Sequence, residues 1–413
     1  MHRRSFGLVL ACLCVGQVTL QAQDFNLFDR NVQIHGFASQ GFVYTNTNNW
    51  LTMNTSQGSA AFTDFGFNVS TSVTDKLRVG AQAYDHNIGN LGEWHPILDW
   101  AYADYRFKPW LSFRGGKVMT VIGLYNDTQD FEFLNAFALL PQSVYPIDMH
   151  DANIAHEGGD LYGDIPLVRR SGTLSYTVYG GERRDSYYGG YPYALRETVA
   201  PVNLTSNGGP QYGADLRWYT PLRGLLAGIS RVNQHDEGKG TFVPFWDPAA
   251  GKIPYWEHTK QYWLHQYYGQ YSKGSLHLDS EYRRTYINAV DFNGTSTGQA
   301  DVRGWYVSGS YRVAKRLQLG SYYSHYTITT HYGGILGMAF PPRVGTSLPE
   351  NHIYDKVVSA RIDLNRFWNV KLEGHFMDGY GDGPYPDGFY PGDNPAGFKP
   401  NTNALVVRTG LNF

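Results

Sequence analysis

Along most of this chain apolar and polar side chains take turns one residue at a time, in stretches of about ten residues. Phe65, Phe67, Val69, Thr71 and Val73 alternate with Asp64, Gly66, Asn68, Ser70 and Ser72. Leu276, Leu278, Ser280 and Tyr282 alternate with His277, Asp279, Glu281 and Arg283, and Val370, Leu372, Gly374 and Phe376 with Lys371, Glu373 and His375. Successive side chains of an extended strand point to opposite faces, so a period of two predicts strands with one apolar and one strongly polar face. About ten residues is also the length a tilted strand needs to cross the hydrocarbon core of a bilayer.

Alternation by itself suits two architectures. In a soluble sandwich the apolar faces meet in a core, whereas in a membrane barrel they meet lipid and the polar faces line the interior. Connection lengths separate the two. The pattern predicts about sixteen strands, the first near 32–44 and the last near 403–413. Short connections fall at Thr74-Asp75-Lys76, Lys108-Pro109, Thr220-Pro221-Leu222-Arg223, Lys273-Gly274, Ala314-Lys315 and Asn365-Arg366, with an intermediate one at 163–169. Long ones lie between them at 45–59, 87–96, 119–153, 182–210, 233–260, 289–300, 329–351 and 379–402. Short turns at one end and long loops at the other are what insertion into an outer membrane produces. The predicted fold is therefore all-β, a transmembrane antiparallel β-barrel over 24–413 with short periplasmic turns and long extracellular loops. No linker interrupts the pattern, so one domain is expected.

Composition agrees. The 413 residues include 32 Tyr and 47 Gly, and mean hydropathy is −0.40. No later apolar stretch is long enough for a membrane helix, which excludes a helical membrane protein. Residues 1–23 read as a cleaved secretory signal peptide: basic His2, Arg3 and Arg4, an apolar run over 6–16, and small Ala22 before Gln23 and Asp24. A second reading acylates Cys12 after Val9-Leu10-Ala11. Cys12 and Cys14 are the only cysteines, so the chain after the leader has no disulfide and no thiolate site. With Arg3 and Arg4 gone, 32 basic residues face 36 acidic ones, a net charge of −4 with His neutral, and nothing suggests a nucleic-acid partner.

The segment Arg114-Gly115-Gly116-Lys117-Val118-Met119-Thr120-Val121-Ile122-Gly123-Leu124-Tyr125-Asn126, followed by Leu140-Pro141-Gln142-Ser143-Val144-Tyr145-Pro146, resembles the strand-to-constriction-loop region of bacterial outer-membrane porins. The nearest resemblance is to the sixteen-strand group related to phosphate-selective and general diffusion porins, and it extends over the strand plan after the leader. The resemblance implies a channel for passive diffusion of small hydrophilic solutes or ions, an inward-folded third loop, a homotrimer, and outer-membrane lipid and lipopolysaccharide as surroundings. It also implies that Phe413, at the end of the alternating Leu405, Val407, Thr409 and Leu411, serves barrel assembly. Phosphate selectivity does not carry over, because the chain is net acidic and its loops hold no lysine cluster.

The loop at 119–153 has 35 residues and an apolar stretch over 131–140, poorly suited to hanging in water. Taken with the resemblance, it folds inward and narrows the pore, placing Asp127, Asp130 and Glu132 near the narrowest section; the alternative packs it on the rim or on a neighbouring subunit. Strand parity puts Arg217, Arg283, Arg312, Arg361 and Arg408 on lumen faces, beside Asp215, Asp279, Glu281, Asp363 and Glu373. Loop acids opposite wall arginines would set a transverse field across the pore. Otherwise these charges pair along the wall.

Other residues carry weaker expectations. Tyr187, Tyr188, Tyr191 and Tyr193, and Trp246, Tyr255 and Trp256, fall in loops, where rings either stack on sugars, giving a substrate-specific saccharide channel, or pack loops together. A barrel enzyme or adhesin is the remaining alternative. His150-Asp151 and His235-Asp236 are its candidate pairs, but neighbours on an extended segment point apart, so no preformed dyad is expected. Asp382, Asp387 and Asp393 offer calcium-type oxygens at a spacing that fits no calcium loop, and Asp beside Gly or Pro is ordinary turn chemistry. No catalytic residue, metal or cofactor is expected.

Overall fold

In a computed structural model that describes residues 23–27, 30–197, 201–244, 246–291, 296–335, 338–340, 345, 347–381 and 388–413, long strands close into one antiparallel barrel. The predicted leader, apart from Gln23, and Asp382 and Asp387 lie outside the described residues. The sixteen barrel strands begin with β1 (Arg30–Thr45), β2 (Ser59–Ser72), β3 (Leu77–Ile88), β4 (Ile97–Lys108) and β5 (Leu111–Met119). They continue with β6 (Ala155–Pro166), β7 (Thr173–Arg184), β8 (Val202–Tyr219), β9 (Leu225–Gln234), β10 (Ile253–Lys273) and β11 (Leu276–Asp291). The last are β12 (Ser296–Ala314), β13 (Leu317–Ile335), β14 (His352–Asp363), β15 (Trp368–Asp378) and β16 (Asn401–Asn412). Each pairs with its sequence neighbours, and β16 closes on β1 from Ala404↔Thr45 to Asn412↔Phe37. Three shorter strands extend this wall: Gln23–Leu27 folds back on β1, Glu237–Phe242 prolongs β9, and Met338–Phe340 makes a hairpin on β13.

Closure of β16 on β1 leaves the sixteen-stranded wall without a free edge, which a strand in lipid requires because no water is there to bond free backbone groups. At the seam the Phe413 N–H donates to Gly36 O over 2.9 Å and the Gly36 N–H to Phe413 O over 3.1 Å. The Phe413 ring covers Gly36 so closely that a Cβ there would stand 2.3 Å from it.

Burial is inverted relative to a soluble protein. Phe65, Phe67, Leu278, Val307, Leu372, Phe376 and Leu405 are exposed on the outside, while Asp64, Asp279, Glu281, Lys371, Glu373 and His375 are buried within. Lys371 and His375 have no exposed surface at all. A sandwich would bury the opposite face of the same strands, so the apolar belt identifies a transmembrane barrel.

The short turns fall within a residue or two of their predicted positions, for example at Gly274-Ser275, where Gly274 has φ +60°. The long-loop side differs more. Residues 202–210 and 253–260 were expected in loops but extend β8 and β10, which reaches 21 residues. Gly208-Gly209-Pro210 reads locally as a turn, yet it pairs with Glu182, Arg183 and Arg184 of β7, because tertiary pairing outweighs local propensity in a sheet. The loop expected at 119–153 runs from 120 to 154.

Candidate functional site

The loop 120–154 leaves β5 and returns at β6, yet its contacts run around the wall through β8, β10, β11, β12, β14, β15 and β16. Its contacts on β15 and β16 fall on Lys371, Glu373 and Arg408, all buried and of inward parity, so the loop crosses the lumen. It is irregular, with short 3-10 turns at Asn126–Thr128, Glu132–Leu134 and Ile147–Met149 and a single helical turn at His150–Asn153.

Such a chain buries carbonyl and N–H groups that no secondary structure satisfies, and the wall supplies the missing partners. The Gly123-Leu124-Tyr125 corner is the first anchor. The N–H groups of Leu124 and Tyr125 donate to the Tyr145 hydroxyl over 3.0 and 3.1 Å, and Tyr145 donates to Glu281 Oε1 over 2.7 Å. Glu281 also accepts from the Tyr306 hydroxyl (2.7 Å) and Gln266 Nε2 (2.6 Å). Gly123 sits at φ +64°.

Further along, wall cations grip loop carbonyls. Arg217 donates to Gly123 O (2.8 Å), Arg283 to Val144 O (2.8 Å), and Arg361 to Phe133 O (2.6 Å) and Asn135 O (2.9 Å). Arg408 donates to Ala138 O (2.8 Å) and pairs with Asp64. Lys371 Nζ reaches Glu132 O (2.7 Å), Phe137 O (2.9 Å) and the Glu132 carboxylate (2.6 Å). In return Glu373 accepts from the Ala138 N–H over 2.7 Å. Hydrogen bonds involving a charged partner contribute about 1.5–3 kcal/mol each, so these contacts together hold the loop. Arg312 is the exception among the five named arginines, pairing with Asp363 (2.7 Å) and Gln318 (3.1 Å) near the short turns.

The loop acids are therefore accompanied rather than bare. Burial works against Glu132, but Lys371 holds its carboxyl below the usual range. Burial likewise works against Asp130, and His150 overcomes it and keeps Asp130 low. Asp127, half-buried, is raised by burial against the pull of Arg217. Asp130 and Glu132 meet Arg408, Asp64, Tyr84 and His150 around a cavity of about 40 Å³. Asp127 does not line it.

The loop also divides two larger cavities. One of about 130 Å³, towards the long loops, is lined by Tyr191, Tyr262 and Tyr326 with Arg183, Asp236 and Glu257. The other, about 570 Å³, lies towards the short turns beside His277, Asp279 and Arg312.

The weaker expectations resolve individually. His150 and Asp151 were expected to point apart; they begin a helical turn instead, and His150 Nδ1 meets Asp151 Oδ1 at 3.1 Å. His150 Nε2 faces Asp130. Asp236 turns to Arg183 at 3.6 Å. Tyr193 packs on Tyr390 and bonds Asp393 (3.0 Å), tying two loops together, whereas Tyr191 bonds Glu257 (2.7 Å) and ties its loop to β10. Tyr255 and Trp256, expected in a loop, lie in β10, with Tyr255 buried and Trp256 exposed.

Lys371 and Tyr145 were missed as site residues, and Glu281 and Glu373 were expected only as wall charges beside the arginines. The signal available was slight: parity placed Lys371 and Glu373 inward, but nothing along the chain ties them to residues more than 200 positions away.

Asp148 links this loop to the one after β15. Its buried Oδ2 accepts from the Tyr390 hydroxyl (2.8 Å) and the Gly388 N–H (2.9 Å), and burial pushes its pKa up to about 6. An unfolded aspartate titrates near 3.9. The folded value is the higher one, so its contribution to docking is complete below about pH 4 and is lost as pH rises through 6. Protease resistance of the loop is thus expected to fall between about pH 4 and 6.5. Asp393 is also pushed up to about 6, so the readout is the part of that fall which Asp148→Asn removes. An unchanged pH profile in the variant contradicts the assignment.

No family model and no curated protein matches the chain in sequence. Solved structures match it in fold. Outer-membrane expressed OmpT of Vibrio cholerae aligns at TM-score 0.54 and 11% identity, covering 95% of this chain and 99% of that one. OmpF of Salmonella typhi in complex with daunomycin aligns at 0.53 and 12%, covering 93% and 98%. An anion-selective porin from Comamonas acidovorans aligns at 0.52 and 10%, covering 93% and 100%. At these identities the likeness extends to the fold alone, a closed antiparallel β-barrel.

Proposed function

We propose that this chain is an outer-membrane channel for passive diffusion of small hydrophilic solutes or ions. The observation that carries the proposal is the loop 120–154, which crosses the lumen of a closed barrel and lies between two cavities lined by charged and polar side chains. A solute entering from either end meets hydration partners on the wall and its greatest restriction at this loop. Asp127, Asp130 and Glu132 on the loop, and Arg217, Arg283, Arg361 and Arg408 on the wall, bear on that restriction chiefly by positioning it, with Arg312 lining the approach from the short turns. Most of these charges are paired, so the transverse field is modest and only a mild ion preference is expected. The His150 contacts support a non-catalytic reading. Export through a cleaved leader, residence in the outer membrane and a homotrimer belong to the same proposal; one neighbour, OmpT of Vibrio cholerae, is described in a trimer form.

In planar bilayers the refolded protein is expected to give stepwise conductance, with a reversal potential displaced by a salt gradient. Absence of conductance from protein that migrates as a folded barrel refutes the channel. A second reading, a saccharide-specific channel, is favoured by the tyrosines and carboxylates of the cavity towards the long loops. It requires millimolar sugar to block the ion current, and unblocked current leaves general diffusion.

A further inference from the structure

Between the loop and the wall formed by β3 and β4 lies a group of side chains that solute passage does not use. Asp99 of β4, Asp130 and His150 are all buried, and each offers one atom to a set whose members lie within 4.8 Å of one another. Three facts point to a missing cation. The Asp99 and Asp130 carboxylates face each other across the one Gln82 amide nitrogen, with ligand oxygens within 4.8 Å of each other and of a His150 ring nitrogen, the spacing of a shared cation. Gln82 Nε2 donates to Asp99 Oδ2 (2.8 Å) and Asp130 Oδ2 (3.1 Å), but Asp99 Oδ1 is buried and meets no donor. In addition, a third carboxylate, Asp151, stands against His150 at 3.1 Å and His86 at 4.0 Å, so three acids share two imidazoles.

His150 is oriented as a metal ligand would be. Nδ1 meets Asp151 Oδ1 at 3.1 Å and Nε2 faces Asp130, so an N–H kept at Nδ1 for Asp151 lets Nε2 offer its lone pair to a cation once the proton between Nε2 and Asp130 has left. A carboxylate behind the coordinating histidine fixes its tautomer and raises its basicity. We propose that Asp99, Asp130 and His150 Nε2 bind a first-row divalent cation, with Asp151 as the positioning residue behind the imidazole. Two oxygens and one nitrogen suit zinc or manganese better than calcium, which takes oxygen ligands alone. Binding expels to solvent the proton that Nε2 shares with Asp130. The cation also fastens the loop to β4, which carries none of the arginine anchors described above.

The site is tested on the full refolded barrel in detergent, by titrating Zn2+ calorimetrically and Co2+ by its visible absorption. The expected result is one equivalent bound per chain, with a Co2+ spectrum showing nitrogen coordination. Asp99→Asn, checked for folding by its migration on unheated gels, should weaken binding more than about 100-fold, and Asp151→Asn about tenfold while retaining the spectrum's form. Failure of the parent protein to take up either ion overturns the proposal and leaves a shared proton between the two carboxylates. Parent-like affinity in Asp99→Asn also overturns it, by placing the bound ion elsewhere.

Discussion

Lys371→Met is expected to free the middle of the lumen loop while leaving the barrel closed. Lys371 is fully buried, and its ammonium group holds the Glu132 carboxylate and the carbonyls of Glu132 and Phe137. Methionine fills a similar volume but donates nothing. Glu132 would then be a buried carboxylate without its partner, and removing one member of a buried ion pair costs about 3–5 kcal/mol. The wall keeps all its strand pairing, so the cost falls on loop docking. The measurable result is a larger and noisier single-channel conductance, a shift of the reversal potential towards cations, and new protease cleavage within 120–154. A variant with parental conductance and an uncut loop would show that Arg361, Glu373 and Arg408 hold the segment without Lys371.

Gly123→Ala acts at the other end of the same loop. Gly123 sits at φ +64°, a region alanine adopts at a cost of about 1 kcal/mol. The added Cβ would lie 1.9 Å from Gln266 Nε2, 2.4 Å from Glu281 Oε2 and 2.6 Å from the Tyr145 hydroxyl oxygen. These three groups form the first anchor, and none can retreat without giving up a buried hydrogen bond. Overpacking of this kind adds about 1–3 kcal/mol. The corner should therefore lift off the wall, with cleavage appearing near residues 123–126 and conductance altered at that side. Gly274→Ala is a useful contrast, since φ there is also positive at +60° but no atom stands within 4 Å of an added Cβ. If both variants behave alike, backbone conformation rather than the anchor sets the effect.

Legibility in the sequence followed distance along the chain. Parity was readable because it depends on nearest neighbours: Asp64 and Phe65 could be assigned to opposite faces, and they occupy them. Gly-Gly-Pro at 208–210 misled because its local meaning is a turn, whereas its pairing with β7 is set by a strand about 25 residues earlier. His150 and Asp151 misled for a related reason, since four residues of helix are too few to leave a periodic signal.

What the sequence determined by itself is the envelope: strand number, the apolar outer face, the turn-and-loop polarity, and the presence of one long loop too apolar for water. Alternation and connection length are local properties, and a barrel wall is built from local pairings between consecutive strands. The tertiary structure alone decided what the loop's charges do. Glu132 meets Lys371, Arg408 meets Asp64 and the Ala138 carbonyl, and Asp130 meets His150 and Asp99, because closure of the barrel brings β15, β16 and β4 around one irregular segment. Acids that the chain alone presents as open charges in a pore thereby become the buried, paired groups that hold the constricting loop in place.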